Sequence, residues 1–368
     1  MKPCRTVSLV VVFALLGLAA QAQILIGQTA GFTGSVAAGV KETTDGATLY
    51  IDHVNAKGGV RGQKLQLLSL DDKFDPKLAG ENARILIEEK NVVAMFLTRG
   101  TPHAEAIIPW LDKYGVPLVG PSTGAMVLHQ PVRKHVFNVR ATYQREAEKA
   151  ITHLASTGIS RIAVVYADDS FGSDGLAGAQ KGLLLAKLTA AAVQKFDRAK
   201  PDFSKIAPMI VQANVQSVLL VASGATVADA IKAFKAAGSA AQYVTLSNNA
   251  SSGFITSLGS NGVGVIVTQV FPQSFDFAFV KECLGLARAK KMPGVSPAML
   301  EGFVAAKVLV EALNRTSGNP TRERLLAALE GMAKFDVGGL ELGYSPTDHT
   351  GLDFADLSII SRDGKFRR

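Results

Sequence analysis

Beginning at Ile24, the chain alternates short apolar runs with longer amphipathic stretches, and after Arg140 it does so again. Ile24–Gly27 reads as a buried strand, 35–55 as a helix stopped by Lys57-Gly58-Gly59, and Leu65–Leu70 as the next strand. A helix over Pro76–Glu89 follows, with its proline in the first turn, where the missing N–H costs nothing. Strands at Val92–Leu97 and Val116–Val119 flank a helix over Pro102–Tyr114. The second run reads helix Glu146–Ser156, strand Arg161–Tyr166, helix Gly175–Leu188 and strand Ala191–Phe196. Helix Phe203–Gln212, strand Ser217–Val221, helix Ala225–Ala237 and strand Tyr243–Leu246 complete it. Continuous apolar strands between amphipathic helices imply β-α-β units and parallel sheets covered on both faces. The expected fold class is α/β, with two Rossmann-like lobes built on parallel central sheets.

The tail shapes the connectivity. After Val263–Val270 the chain turns mostly helical, over Phe275–Lys290, Pro297–Asn314 and Thr321–Leu329, and closes with β segments at Gly339–Leu342 and Asp356–Ile360. The economical solution returns it to the first lobe near Val270–Pro272 and to the second near Leu342–Ser345. With a first passage near Val139–Thr142, this gives a three-strand hinge. The expected division is an N-terminal lobe of 23–140 plus 271–340 and a C-terminal lobe of 141–270 plus 341–368. A chain of this length exceeds the roughly 100–200 residues of one domain, which also argues for two.

Residues 1–22 read as a secretory leader. Lys2 and Arg5 precede an apolar stretch over 8–20, and Ala20-Gln21-Ala22 fits the small-x-small rule, so cleavage is expected after Ala22. The stretch falls short of the roughly 20 residues of a membrane span. Removal takes Cys4 and leaves Cys283 as the single remaining cysteine, so the core must be held by packing. The formal net charge of +8 falls to +6 when Lys2 and Arg5 leave, and the excess is spread out. No basic block with interleaved aromatics occurs, which argues against nucleic-acid binding.

Catalytic chemistry finds little support. The six histidines are scattered and none shows metal-ligand spacing. There is no G-x-S-x-G elbow, and Gly58-Gly59 and 259–264 lack the lysine and spacing of a phosphate loop. No enzyme activity, cofactor or metal is expected.

Several segments occur in a specific order. They are Ile26-Gly27-Gln28-Thr29-Ala30-Gly31-Phe32-Thr33-Gly34, the turn segment Asp52-His53-Val54-Asn55-Ala56-Lys57-Gly58-Gly59-Val60-Arg61-Gly62, and Gly115-Val116-Pro117-Leu118-Val119-Gly120-Pro121-Ser122-Thr123. Asp168-Asp169-Ser170-Phe171-Gly172 and Val267-Thr268-Gln269-Val270-Phe271-Pro272 follow. In this order they resemble the type I periplasmic binding proteins of the branched-chain amino-acid (Leu/Ile/Val) group, across essentially the whole mature chain. The resemblance implies a periplasmic component of an ABC importer that binds a small carboxylate, either a branched-chain or other amino acid or an aliphatic or aromatic acid, between its lobes by hinge closure and delivers it to an inner-membrane permease. The same fold could alternatively serve as a ligand-sensing module for a receptor. A monomer is expected.

In open parallel sheets, ligands bind beyond the carboxyl ends of the strands. Phe32, Thr101, and Ser122, Thr123 and Gly124 all follow expected strands directly. Thr101 precedes Pro102 and is expected at a helix N-cap, where free N–H groups favour a carboxylate. Gly100 and Gly124 would let a ligand approach the backbone. By resemblance, the carboxylate contact falls on Thr101, a further pair on Ser122 and Gly124, and the aromatic contact from the second lobe on Phe171. The acid that pairs an amino acid's ammonium in this group is missing: Leu246-Ser247-Asn248-Asn249-Ala250 offers only neutral side chains, Asn249 among them as a ligand contact. Either Asp168 or Asp169 replaces that acid, or the ligand carries no ammonium. Arg99, close to Thr101, either supplies a further positive charge to an anion or stands solvated on the rim, and the rim is the favoured reading.

Overall fold

The computed structural model describes residues 23–367, so the expected leader lies outside the described residues. The first sheet is built from β1 (Ile24–Ala30), then α1 (Ala37–Ala56), β2 (Leu65–Asp71), α2 (Pro76–Arg84), β3 (Ala94–Phe96), α3 (Thr101–Tyr114), β4 (Leu118–Val119) and β5 (Val136–Phe137). All five strands are parallel in the order β2-β1-β3-β4-β5, with Ile24 opposite Leu65 and Ile26 opposite Ala94. Strands covered on both sides are mostly apolar, and Ile26, Met95, Phe96 and Phe137 are fully buried, while β1 also buries Gln28 and Thr29.

The second lobe begins with α4 (Tyr143–Ser156), β6 (Ile162–Ala167), α5 (Ser170–Leu185), β7 (Ala192–Phe196), α6 (Ile206–Gln212) and β8 (Ser217–Val221). It continues through α7 (Ala225–Ala236), β9 (Gln242–Thr245), α8 (Ser252–Leu258) and β10 (Ile266–Gln269). The helices α9 (Ala278–Ala289), α10 (Pro297–Arg315) and α11 (Arg322–Glu330) then pack into the first core. They are followed by the hairpin β11 (Phe335–Asp336) and β12 (Glu341–Leu342), and by β13 (Asp356–Ile360) and β14 (Phe366–Arg367). The second sheet runs β14-β13-β10-β9-β8-β6-β7; β13 and β14 lie antiparallel on one edge and the rest are parallel.

Glycine explains how the late helices rejoin the first lobe. A side chain at Gly46 of α1 would lie 1.9 Å from the Met299 carbonyl oxygen, and one at Gly302 of α10 would lie 1.8 Å from that of Thr43. The two helices therefore cross backbone to backbone. This crossing aims Glu301 of α10, which is buried, at Ser122.

The expected α/β architecture with two parallel-cored lobes stands, with local corrections. The helix expected over Pro76–Glu89 is α-helical to Arg84 and ends in a wider π turn over Ile85–Glu89. Strands β5, β11 and β14 and helix α8 were not foreseen. The third passage between lobes falls later than Leu342–Ser345: Leu342, Tyr344 and Leu352 still pack in the first core, and the chain enters the second sheet at Asp356. The Tyr344 hydroxyl, donating to the Asn138 carbonyl at 2.6 Å, and the Leu352 N–H, donating to Val139 at 3.1 Å, bind this passage to the first. Among the described residues no helix is long and apolar enough to cross a membrane.

Candidate functional site

The loops after β1, β3 and β4 face those after β6, β8 and β9, all at carboxyl ends of parallel strands. They touch directly. The Ala225 N–H donates to the Ser35 carbonyl at 3.0 Å, and the Ser252 and Gly253 N–H groups donate to the Glu42 carboxylate at 2.9 and 2.8 Å. Ser170 donates to Glu105 at 2.5 Å on the other lip. Among the described residues, two hollows between the lobes border these loops. One of about 600 Å³ lies among Phe74, Pro102, Asp169, Arg198 and Ser223. The other, about 280 Å³, has Val36, Gly39, Arg99, Gly224 and Asn248 in its walls. Ser35 borders both.

Arg99 is the side chain that joins the two halves. It follows β3 and is only 4 % exposed. Its Nη1 donates to Ser122 Oγ at 3.2 Å in its own lobe, and its Nη2 to the Asn248 carbonyl at 2.5 Å in the other. Ser122 Oγ donates onward to Glu301 at 2.8 Å. Glu301 lies 3.6 Å from Arg140, which also donates to Glu146 and, at 2.6 Å, to Ser247. Glu146 takes the Ser247 N–H at 2.9 Å and the Thr268 hydroxyl. Burial pulls the Arg99 guanidinium below its ordinary pKa, opposed by Tyr143 and Glu301. Burial acts the same way on Arg140, but Glu146 and Glu301 outweigh it and leave that guanidinium raised. The expectation of a solvated Arg99 is therefore corrected: β3 delivers it inward, and the second lobe's Asn248 covers it.

Thr101, Ser122 and Thr123 do come together. Thr101 and Thr123 are fully buried, with their hydroxyl oxygens 2.7 Å apart. Thr101 is the first residue of α3 and not its cap; Gly100 holds that position at φ 98°. A side chain on Gly100 would meet His103 Nδ1 at 2.7 Å, and one on Gly124 the Ala141 carbonyl at 2.5 Å. Both glycines thus answer to protein neighbours, and Gly124 seats the first interlobe passage, its carbonyl accepting the Tyr143 N–H at 2.8 Å. Phe171 meets Tyr143 edge to face at 4.9 Å and has the Arg198 guanidinium 5.4 Å from its ring. Phe32 packs on its own loop with Val36, Val40 and Phe74. Asn249 is a strut: its Oδ1 accepts the Gly224 N–H at 2.7 Å, and its Nδ2 donates to Ala222 at 3.0 Å and Thr245 at 2.8 Å.

The acids considered as ammonium partners are engaged. Asp168 pairs with Lys195 at 2.9 Å, while Asp169 accepts the Gly172 N–H at 3.0 Å and pairs with Arg198. Sequence reading weighed Arg99 as a cation for an anionic ligand but favoured a solvated rim, and it missed Arg140, Tyr143, Glu146 and Glu301 as cleft residues. Arg99 alone left a signal, directly after a β-strand and before a helix. Among the described residues, no group of three or more His, Cys, Asp or Glu side chains could hold a metal ion.

A family model described as periplasmic binding protein matches residues 23–355, and the chain belongs to this periplasmic, solute-binding family. It is similar to the Leu/Ile/Val-binding protein homolog 7 of Brucella suis, 25% identical over 81% of this chain and 79% of that one. Against the Leu/Ile/Val-binding protein of Escherichia coli K12 the identity is 23%, covering 83% of each. Among solved structures, a substrate-binding periplasmic protein from Ralstonia solanacearum superposes with a TM-score of 0.85 at 29% identity, over 94% of this chain and 99% of that one. A possible leucine/isoleucine/valine-binding protein from Rhodopirellula baltica gives 0.88 at 25%, over 96% and 98%.

Proposed function

We propose that this protein is the periplasmic substrate-binding component of an ABC importer, exported by a leader cleaved after Ala22. In this reading it captures a small carboxylate between its lobes and presents the closed form, as a monomer, to an inner-membrane permease. The observation that carries the ligand class is the Thr101–Thr123 hydroxyl pair at the start of α3. Two hydroxyls hold two protons and their mutual bond uses one, so the other can be donated to an incoming acceptor. The N-terminal end of α3, with its partial positive charge, favours an anion there. The fold accommodates such a ligand: a Rhodopseudomonas palustris solute-binding protein, 17% identical with a TM-score of 0.81, was solved with benzoate.

In this mechanism the open form admits the ligand to the first lobe, and the second lobe closes over it. Closure is driven only by the ligand's preference for the closed state. Thr101→Val keeps the shape and removes one hydroxyl. It should weaken carboxylate binding by roughly tenfold, the worth of one charge-assisted hydrogen bond, with the melting temperature of the free protein nearly unchanged. The ligand for this titration comes from a thermal-shift screen of carboxylic acids, since a ligand bound only by the folded form raises the melting temperature. Unaltered affinity in Thr101→Val would remove the hydroxyl pair from the site.

A further inference from the structure

Two observations bear on what kind of carboxylate the cleft accepts. The first is Arg99, a buried guanidinium with no carboxylate within ion-pair distance among the described residues. Its hydrogen bonds go to a neutral hydroxyl and a neutral carbonyl. A buried cation without a counter-ion is costly, and natural cores keep few of them. The second is that the acids in the closed interface are already claimed. Glu146 and Glu301 serve Arg140, Asp169 serves Arg198, Asp168 serves Lys195, Glu42 serves the Ser252 and Gly253 N–H groups, and Glu105 serves Ser170. Asp174 takes the Met126 N–H and the Gln144 amide on Oδ1, and although its Oδ2 has no partner it lines neither hollow. Asp75 and Asp197 border the larger hollow, but both are solvent-exposed and each accepts a nearby backbone N–H, from Lys77 and Ala199.

The charge count needs one more contribution. Arg99 and Arg140 against Glu146 and Glu301 sum to zero, so a bound monoanion adds an uncompensated negative charge. Helices α3, α5 and α7 all begin at this interface, and their N-terminal ends supply partial positive charge where that anion would lie. An α-ammonium at the same place would meet these helix ends and Arg99 with no acid to receive it.

We infer that the ligand is a small carboxylic acid without an α-ammonium group, and that Arg99 is the specificity-determining cation that receives its carboxylate. This rests on the carboxylate-binding reading above. The test uses two pairs of compounds that differ only in the amino group: isocaproate against leucine, and hydrocinnamate against phenylalanine, titrated calorimetrically into the purified protein with benzoate and succinate alongside. The expected result is that an amine-free acid binds at least roughly tenfold tighter than its amino-acid twin. Arg99→Gln should then lose on the order of a hundredfold in affinity, and Arg99→Lys, which keeps the charge but not the fork, should lose less. Far-ultraviolet circular dichroism and melting curves establish that both variants are folded. Tighter binding of either amino acid, or wild-type affinity in folded Arg99→Gln, overturns the inference while leaving carboxylate binding in place. If none of the six acids binds, the carboxylate reading itself fails, and this inference falls with it.

Discussion

Arg99 and Thr101 stand two positions apart, yet the sequence favoured Thr101 as a ligand contact and Arg99 as a solvated rim residue, and both are buried. Thr101 follows an apolar strand and precedes Pro102, a pattern that local chemistry alone marks as a strand-to-helix turn. The burial of Arg99 depends on a carbonyl 149 positions away, and no local pattern encodes that. The same limit hid Glu301, which reaches Ser122 across 179 positions through the crossing of α1 and α10. His103 is a further case. It is buried and stacked on Phe74 with ring centroids 4.5 Å apart, and burial lowers its pKa to about 4. A histidine depressed in the folded state contributes stability that is present above its unfolded value near 6.5 and lost as pH falls towards 4. Replacing His103 with Phe should flatten the loss of stability across that window by up to about 3 kcal/mol, read from denaturant unfolding at several pH values. His129, also lowered to about 4, keeps its own contribution. Asp72, raised to about 6 mainly by burial, acts in the opposite sense: its contribution is present below about 3.8 and lost as pH rises through 6. An unchanged slope in the His103 variant would mean that the ring is protonated, or exposed, in the folded protein.

At the scale of elements, apolar periodicity carried most of the chain. It named the long strands and the helices that cover them, because burial on both faces forces continuous apolar runs. It missed β5, β11 and β14, two-residue strands too short for any period, and α8, whose Ser-Ser-Gly start reads as a turn. It also misplaced the third passage, since the stretch after Leu342 is held by tertiary hydrogen bonds to Asn138 and Val139. Gly224 shows what an element boundary can control. It precedes α7 at φ 56°, and a side chain there would lie 1.8 Å from the Ser35 carbonyl of the opposite lobe. Gly224→Ala should therefore hinder closure and weaken ligand binding by roughly tenfold or more, while the lobes keep their folds. Calorimetry with the ligand from the screen gives the affinity, and circular dichroism the fold. Wild-type affinity in this variant would mean that the Ser35–Ala225 contact is no part of the bound state.

At the scale of the molecule, two sheets aim their carboxyl ends at each other across three short passages, and Arg99 and Asn248 meet in the cleft between them. Such an arrangement can move as two bodies about a hinge. The most direct measurement is the distance between spin labels placed on exposed residues of opposite lobes, Lys77→Cys and Lys200→Cys. The native thiol does not interfere: Cys283 is fully buried, and burial raises its pKa to about 12. Pulsed dipolar spectroscopy with and without the acid that binds should show the distribution narrowing and moving to shorter distances as the acid saturates. A distribution that the bound acid leaves unchanged would contradict capture by closure.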